Sequence, residues 1–406
     1  MNLETTLSKF KLLEEKGRLG ILRRSFNFTD EPKFWMYSCV SNEGIYESSS
    51  LDEDKQFAKI KALGEYIERY CLDNPQQDFF YESFNKIEGD AVNPSDFVNF
   101  RDKDLNFRKK EYLEKIKSSK IKWVEGRSEP DGSKTLIPAQ LVYVDYDFNG
   151  EPMIRPRVST GAATHETVDE AFYSGILENI ERDSYMISFL SKKFLPKINL
   201  RNGFSRELDY FKRYLLDLHV FETTTELGIP SFMCFNLDKT GLGPAVSVGL
   251  KSDLDPRKAI IGSINESQQV RQWIRNLWIQ RGSPKVSRSE DIKEIEDRGF
   301  YWYGLDRIND LDYLLNSSDI KDVREIQSQV DEKKDLVEHL KEKGIDTYSV
   351  DLTAEQFREE GFYVVRAIQP QLHPLFLDEA FPCYWSERLE KELNGREVNK
   401  TPHPFM

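Results

Sequence analysis

The chain has 406 residues, of which 39% are hydrophobic and 12% aromatic, and this apolar content excludes a wholly disordered protein. Lys and Arg total 57 against 70 Asp and Glu, and the resulting net charge of −13 repels phosphate backbones and argues against nucleic acid as a partner. The four cysteines form no Cys-x-x-Cys pair, and no run approaches the ~18 apolar residues of a membrane span. We therefore expect a cytoplasmic protein that binds neither nucleic acid nor membrane.

Short runs rich in Val, Ile, Tyr and Phe alternate with longer periodic ones, which predicts an α/β (α+β) fold. Strands are predicted at residues 33–40, 121–125, 137–145, 220–225, 231–237, 245–250, 347–351 and 362–368. Helices are predicted at residues 52–71, 167–190, 255–280 and 323–343, and a turn between two strands at residues 129–134. No Pro-, Gly- or Ser-rich linker divides the chain, so we expect one intertwined body over residues 1–394 and a Pro-containing tail over residues 395–406.

One residue pattern occurs in three of the predicted helices. A capping residue lies four positions before an Ala, and a Glu follows that Ala by seven positions. The three sets are Asp54, Ala58 and Glu65; Thr167, Ala171 and Glu178; and Asp255, Ala259 and Glu266. Three positions after each Glu come Glu68, Glu181 and Gln269, followed within two residues by Arg69, Arg182 and Arg271.

The recurrence of this pattern has a physical explanation. Asp or Thr accepts hydrogen bonds from the first-turn amides, and residues seven apart share a helix face. A single Glu-x-x-Glu-Arg stretch is most often a solvated helix face, but such a face has no reason to recur with the same Ala spacing and apolar flanks. Carboxylates that converge from two helices repel one another unless a cation lies between them, and Mg²⁺ suits such hard oxygen ligands together with phosphates. Because no Gly-x-x-x-x-Gly-Lys loop or kinase-type Gly-rich strand is present, the pattern predicts a magnesium–polyphosphate site at an internal pseudo-repeat.

These residues resemble the YcaO superfamily. The resemblance rests on ALGEYIERYC at 62–71, STGAATHETVDEA at 159–171, ENIERD at 178–183 and ESQQVR at 266–271, with KWVEG at 122–126 and IPAQLVY at 137–143 between them. It implies a YcaO-type fold, with pseudo-repeats of strands and Glu-x-x-Glu-Arg helices, and ATP and Mg²⁺ as cofactors.

The resemblance also implies roles for single residues. Glu65, Glu68, Glu178 and Glu181 would hold Mg²⁺ and the phosphates, and Glu170 would join the same shell. The nucleotide would be contacted by Arg182, Gln269 and Arg271. The end of the chain, NKTPHPFM at 399–406, resembles the Pro-rich tail that enters the active site of azoline-forming members. That likeness implies catalytic roles for Pro402, Pro404 and Met406, although Met406 stands where a final Pro is usual, and a frayed tail without function is the alternative.

The activity implied is ATP-dependent cyclodehydration of a ribosomal precursor peptide, which forms thiazoline or oxazoline rings at Cys, Ser or Thr. The implied partners are the precursor peptide, a ThiF-like protein that binds its leader, and a flavin-dependent dehydrogenase. Two alternatives remain at this stage. One is thioamide formation with a TfuA-like partner, and the other is a nucleotide-binding scaffold subunit without catalysis.

Overall fold

A computed structural model describes residues 3–42, 47–100 and 110–406. The helices of this part are α1 Leu3–Glu15, α2 Lys55–Asp73, α3 Lys110–Ser118, α4 Val168–Leu190, α5 Ser205–Lys212, α6 Pro256–Gln280, α7 Ile295–Tyr301, α8 Asp312–Leu315, α9 Leu336–Glu342, α10 Glu355–Arg358 and α11 Glu387–Leu393. The strands are β1 Ile21–Ser25, β2 Trp35–Val40, β3 Glu47–Asp52, β4 Phe80–Ser83, β5 Lys120–Glu129, β6 Ser133–Pro138, β7 Ala162–His165, β8 Lys197–Ile198, β9 Leu216–Glu222, β10 Ser231–Asp238, β11 Val246–Ser252, β12 Ile320–Lys321, β13 Thr347–Asp351 and β14 Tyr363–Ile368. Within the described ranges, no helix has the length and apolar composition needed to cross a bilayer.

The chain forms two compact units, each assembled from three separate segments. The first unit contains Met1–Ser25, Trp35–Asn179 and Lys333–Leu372. It holds an antiparallel sheet in the order β1-β2-β3 and a larger sheet in the order β4-β5-β13-β14-β7, with β6 paired to β5. Helix α2 packs on β2 and β3, where Ala58 and Ala62 share a buried cluster with Tyr37.

The second unit contains Phe26–Phe34, Ile180–Glu332 and His373–Met406. Its sheet has the strand order β11-β10-β9-β8-β12, and β10 is buried along its whole length. Helix α6 packs on β10 and β11. Both units therefore place one motif helix against the strand that immediately precedes it in sequence, β3 before α2 and β11 before α6.

The three motif helices begin as their sequences predict. Their capping bonds run from Gln56 N and Phe57 N to Asp54 Oδ1 at 2.8 and 3.0 Å, from Glu170 N to Thr167 Oγ1 at 3.2 Å, and from Arg257 N to Asp255 Oδ1 at 2.9 Å. The Ala at the fourth position is fully buried in all three helices. The small residue thus permits close packing, as the pattern indicates.

Most of the predicted elements are confirmed, including the turn at 129–134, which joins the antiparallel strands β5 and β6. Three predictions are wrong in extent. The strand predicted at 137–145 ends at Pro138, because proline has no N–H to continue the ladder. The strand predicted at 220–225 is β9, which starts and ends earlier, at Leu216 and Glu222. The helix predicted at 323–343 is helical only near its ends, mainly in α9.

Candidate functional site

The first Glu of each motif is hydrogen-bonded to the backbone that leads into its own helix. The bonds run from Ser49 N to Glu65 Oε2 at 3.3 Å, from Gly161 N to Glu178 Oε2 at 2.8 Å, and from Leu250 N to Glu266 Oε2. The donor precedes the Glu by 16, 17 and 16 residues, respectively. The same local hydrogen bond therefore orients one carboxylate in each copy of the motif.

In the first unit, the carboxylates of Glu65, Glu68 and Glu178 interact electrostatically. The pKa of Glu68 is raised well above its ordinary range, first by desolvation and then by the negative charges of Glu178 and Glu65. Arg69 opposes this effect and donates to Glu65 from Nη2 at 2.7 Å and from Nε at 3.1 Å. Three of the predicted site residues are therefore brought together here, and their mutual repulsion is only partly relieved.

Arg366 is a buried cation beside this cluster that the sequence analysis missed. It donates to the carbonyl oxygens of Val142 at 2.8 Å, Val158 at 2.5 Å and Thr160 at 3.1 Å. Burial and then the charge of Arg155 lower its pKa to about 9. A single Arg within a β-strand carries no local sequence signal for such a position.

Glu170 lies apart from Glu178 along helix α4, and its place in the same shell stays a prediction. It is in the first turn of α4, eight residues before Glu178, a separation of about 12 Å along a helix axis. Its Oε2 atom forms an ion pair with Lys333 Nζ at 2.6 Å, and this lysine lowers the pKa of Glu170.

In the second unit, Arg182 joins Glu181 and Glu266. Its Nη2 atom is 3.4 Å from Glu181 Oε1 and 3.9 Å from Glu266 Oε1. Glu181 is almost fully buried and accepts from Ser252 N at 3.0 Å, and Lys251 Nζ is 3.8 Å from its Oε2 atom. Burial raises the pKa of Glu266 to about 7, opposed by Arg182 and reinforced by Glu181.

Arg271 has protein partners at all three guanidinium nitrogens. Its Nε is 2.9 Å from Glu31 Oε2, its Nη1 is 3.1 Å from the Pro244 carbonyl oxygen, and its Nη2 is 2.8 Å from Asp238 Oδ2. The side chain is 2% exposed. The Arg271 guanidinium is thus paired within the protein, and its contact with the nucleotide stays a prediction. Gln269 is partly exposed on the same helix.

Most of the C-terminal segment, residues 399–406, is buried rather than frayed. Its anchors run from Asn399 N to Leu190 O at 2.7 Å, from Trp302 Nε1 to Pro402 O at 3.1 Å, from Arg298 Nη1 to His403 O at 3.0 Å, and between His403 Nε2 and Phe376 O at 2.7 Å. Pro402 and Pro404 are buried, whereas Met406 is partly exposed and packs against a cluster that includes Ile274 and Phe300. The ring of Phe405 lies 4.0 Å from the Arg182 guanidinium carbon.

The carboxylates fit a hard divalent cation in their chemistry. Across the described ranges, no three or more His, Cys, Asp or Glu side chains are already arranged as a metal-binding group. Mg²⁺ does not need such a cage, because it is commonly held by one or two carboxylates, waters and substrate phosphates. The electrostatically strained cluster around Glu68 supplies oxygen donors of this kind.

Comparison with known proteins gives concordant matches. The family model described as YcaO cyclodehydratase, ATP- and Mg²⁺-binding, matches residues 53–373. A heterocyclase in complex with substrate and cofactor has a TM-score of 0.80 and 21% identity, and the alignment covers 100% of this chain and 57% of that one. This chain therefore spans little more than half the length of that heterocyclase.

Two further structures share the fold. YcaO from Methanopyrus kandleri, bound with AMPPCP and Mg²⁺, has a TM-score of 0.66 and 16% identity, with 100% of this chain and 96% of that chain covered. The E. coli microcin synthetase McbBCD complex has a TM-score of 0.66 and 16% identity, with 86% and 88% covered. Since the family model spans most of its length, the chain belongs to the YcaO cyclodehydratase family, whose members bind ATP and Mg²⁺.

Proposed function

We propose that this YcaO-type, ATP-dependent enzyme forms thiazoline or oxazoline rings in a ribosomal precursor peptide. The observation that carries the proposal is the burial of most of the Pro-containing C-terminal segment, with the Phe405 ring against the Arg182 guanidinium. A Pro-rich tail is the feature by which the sequence resembles the azoline-forming branch rather than the thioamide-forming one. An ordered tail in contact with a motif arginine supports that assignment over a frayed end.

In the first unit, we propose that Glu65, Glu68 and Glu178 bind Mg²⁺ and the phosphates. The same role is proposed for Glu181 in the second unit, where Arg182 lies beside it. When bound, Mg²⁺ offsets negative charge on the phosphates during transfer. The raised pKa of Glu68 supports the assignment of this residue to Mg²⁺, because a bound cation would offset the neighbouring negative charges and lower that pKa.

Two side chains have positions suited to anionic substrate groups. Arg182 and Lys251 both approach Glu181, and a planar guanidinium binds phosphate oxygens in a bidentate manner. In the proposed reaction, a Cys, Ser or Thr side chain attacks the preceding carbonyl carbon, and the carbonyl oxygen leaves with the γ-phosphoryl group as phosphate. The products are one ring, ADP and inorganic phosphate.

The C-terminal segment and the partners complete the proposal. Met406 is partly exposed, whereas Pro402 and Pro404 are buried, so we assign the prolines to holding the segment in place. A ThiF-like protein that grips the leader peptide is the proposed partner, and a flavin-dependent dehydrogenase is the proposed later enzyme. The fold match to a protein from a multi-protein synthetase complex supports a partnered enzyme.

The test compares Glu68→Gln and Glu181→Gln with the parent protein, using Glu125→Gln as the control. Glu125 is an exposed residue paired with Lys134, so its loss should leave nucleotide binding unchanged. We expect the two site variants to weaken Mg²⁺-dependent nucleotide binding by about 10- to 100-fold. Calorimetric titration measures the affinity, and unchanged binding in both variants would reject the assignment.

Product mass decides the chemistry. With the precursor peptide and partner present, ring formation removes one water per modified residue, whereas thioamide formation exchanges one oxygen for one sulfur. A sulfur exchange would reject the azoline proposal while keeping the nucleotide site. Nucleotide binding with no peptide change under any partner would instead favour the scaffold alternative.

A further inference from the structure

Phe405 lies against the charged end of Arg182. The distance from the guanidinium carbon to the ring centroid is 4.0 Å. Phe405 is 2% exposed and the Arg182 side chain 10% exposed, so the contact is largely shielded from water. A guanidinium over an aromatic face is attracted by the ring quadrupole, and the attraction grows when both groups are desolvated.

Helix α7 holds the backbone that carries Phe405. Trp302 follows the last residue of α7 and donates from Nε1 to the Pro402 carbonyl oxygen at 3.1 Å. Arg298, one turn earlier, donates from Nη1 to the His403 carbonyl oxygen at 3.0 Å. The two donors fix consecutive carbonyl groups just before Phe405, so the position of the ring is determined by side chains outside the C-terminal segment.

The ring in turn limits the positions that Arg182 can adopt. The guanidinium Nη2 atom lies 3.4 Å from Glu181 Oε1 and 3.9 Å from Glu266 Oε1, and both distances are long for a bidentate ion pair. The Phe405 ring, 4.0 Å from the guanidinium carbon, adds an aromatic contact to the interactions that hold the guanidinium.

We infer that Phe405 is a positioning residue for the nucleotide site and that it acts through Arg182, with α7 as its support. The inference rests on the proposed role of Arg182 in contacting the nucleotide. The C-terminal segment would then help to bind the phosphate groups of the nucleotide, in addition to any role next to the peptide substrate. Loss of the ring should remove this aromatic contact and widen the range of orientations that the Arg182 guanidinium adopts.

The experiment uses the full-length chain with Phe405→Leu, which keeps an apolar side chain, and Phe405→Tyr, which keeps the aromatic face. The readout is the dissociation constant of a non-hydrolysable ATP analogue with Mg²⁺, measured beside the KM and kcat of ATP hydrolysis. For Phe405→Leu we expect affinity to fall and KM to rise on the order of tenfold, with kcat much less changed. Phe405→Tyr should retain most of the parent affinity, an outcome that simple loss of packing does not explain.

Two further variants keep the inference separate from the proposed function. Trp302→Phe removes the hydrogen bond to Pro402 and retains an aromatic ring, so it should weaken analogue binding in the same direction as Phe405→Leu. Arg182→Met should weaken binding at least as much, and adding Phe405→Leu to it should change little. If Arg182→Met leaves affinity intact, the proposed nucleotide site is wrong. If Arg182→Met weakens binding but Phe405→Leu does not, the positioning role alone is overturned.

Discussion

Glu31 is the buried acceptor to which one face of helix α6 is attached. Its side chain is 0% exposed. Oε2 accepts from Arg271 Nε at 2.9 Å and Gln268 Nε2 at 3.1 Å, and Oε1 accepts from Arg275 Nη1 at 2.6 Å. We predict that Glu31→Gln, which keeps the shape and removes the charge, strongly destabilises the second unit.

The size of the effect follows from burial. The amide introduced by this substitution would place an N–H group against donors that need an acceptor, and two guanidinium groups would lose their shared counter-charge. Removing one partner of a buried ion pair costs about 3–5 kcal/mol. Arg271 keeps Asp238, and Arg275 keeps Asp30, so we expect a value near the lower end of that range.

Asp30 provides the matched control, because it binds the same Arg275 from the surface. Asp30 Oδ2 is 2.8 Å from Arg275 Nη2, but its side chain is 42% exposed, and an exposed pair contributes about 0–1 kcal/mol. Urea unfolding followed by tryptophan fluorescence, with Trp273 and Trp278 on α6 as reporters, gives the free energy for each variant. Equal and small losses for Glu31→Gln and Asp30→Asn would refute the argument that burial sets the magnitude.

Two other predictions concern stability. Gly64 in α2 and Gly175 in α4 are both helix-interior glycines, but a Cβ at Gly64 meets no atom within 4 Å, whereas one at Gly175 overlaps the carbonyl oxygen of Gly161. Gly64→Ala should therefore stabilise the protein by about 0.5–1 kcal/mol, and Gly175→Ala should destabilise it by about 1–3 kcal/mol. Chemical unfolding measures both free energies, and effects of the same sign would contradict the packing argument. Burial and then the adjacent Lys197 lower the pKa of His219 to about 4, and Lys197 Nζ is 2.8 Å from His219 Nδ1. The unfolded chain binds a proton at His219 more readily than the folded protein does. The contribution of neutral His219 to the free energy of unfolding is therefore present in full above pH ~6.5 and is lost as the pH falls towards 4. The urea midpoint should decline less between these values in His219→Asn, and parallel declines would show that His219 is not responsible.

The motif helices were predictable because their determinants are local. Asp54, Thr167 and Asp255 accept bonds from amides two or three residues away, and such capping depends on residue type at fixed short spacing. The contacts that each motif residue makes were less predictable. Glu170 has its partner Lys333 163 residues away, and no spacing rule within one helix reveals it.

The wrong helix at residues 323–343 has a cause that periodicity does not reveal. The apolar residues Val323, Ile326, Val330 and Leu340 are buried, as a helical stripe requires, and so is Val337, two turns after Val330. The backbone just before Val330 instead bonds to a distant loop, from Gln329 N to Gly228 O at 2.9 Å.

The attachment of Glu31 to α6 also constrains how the chain reaches its native state. The bond between Glu31 and Arg271 joins residues 240 positions apart, and the segment that supplies Glu31 lies between two strands of the other unit in sequence. Contacts of such high contact order form late, because closing the loop costs entropy before any contact compensates. Until residues 268–275 are synthesised, Glu31 has none of its α6 donors. Fragments that stop before α6 should therefore fold the second unit poorly. A shortened protein designed to isolate either unit must join the three segments of that unit, because truncation at one position does not separate the units.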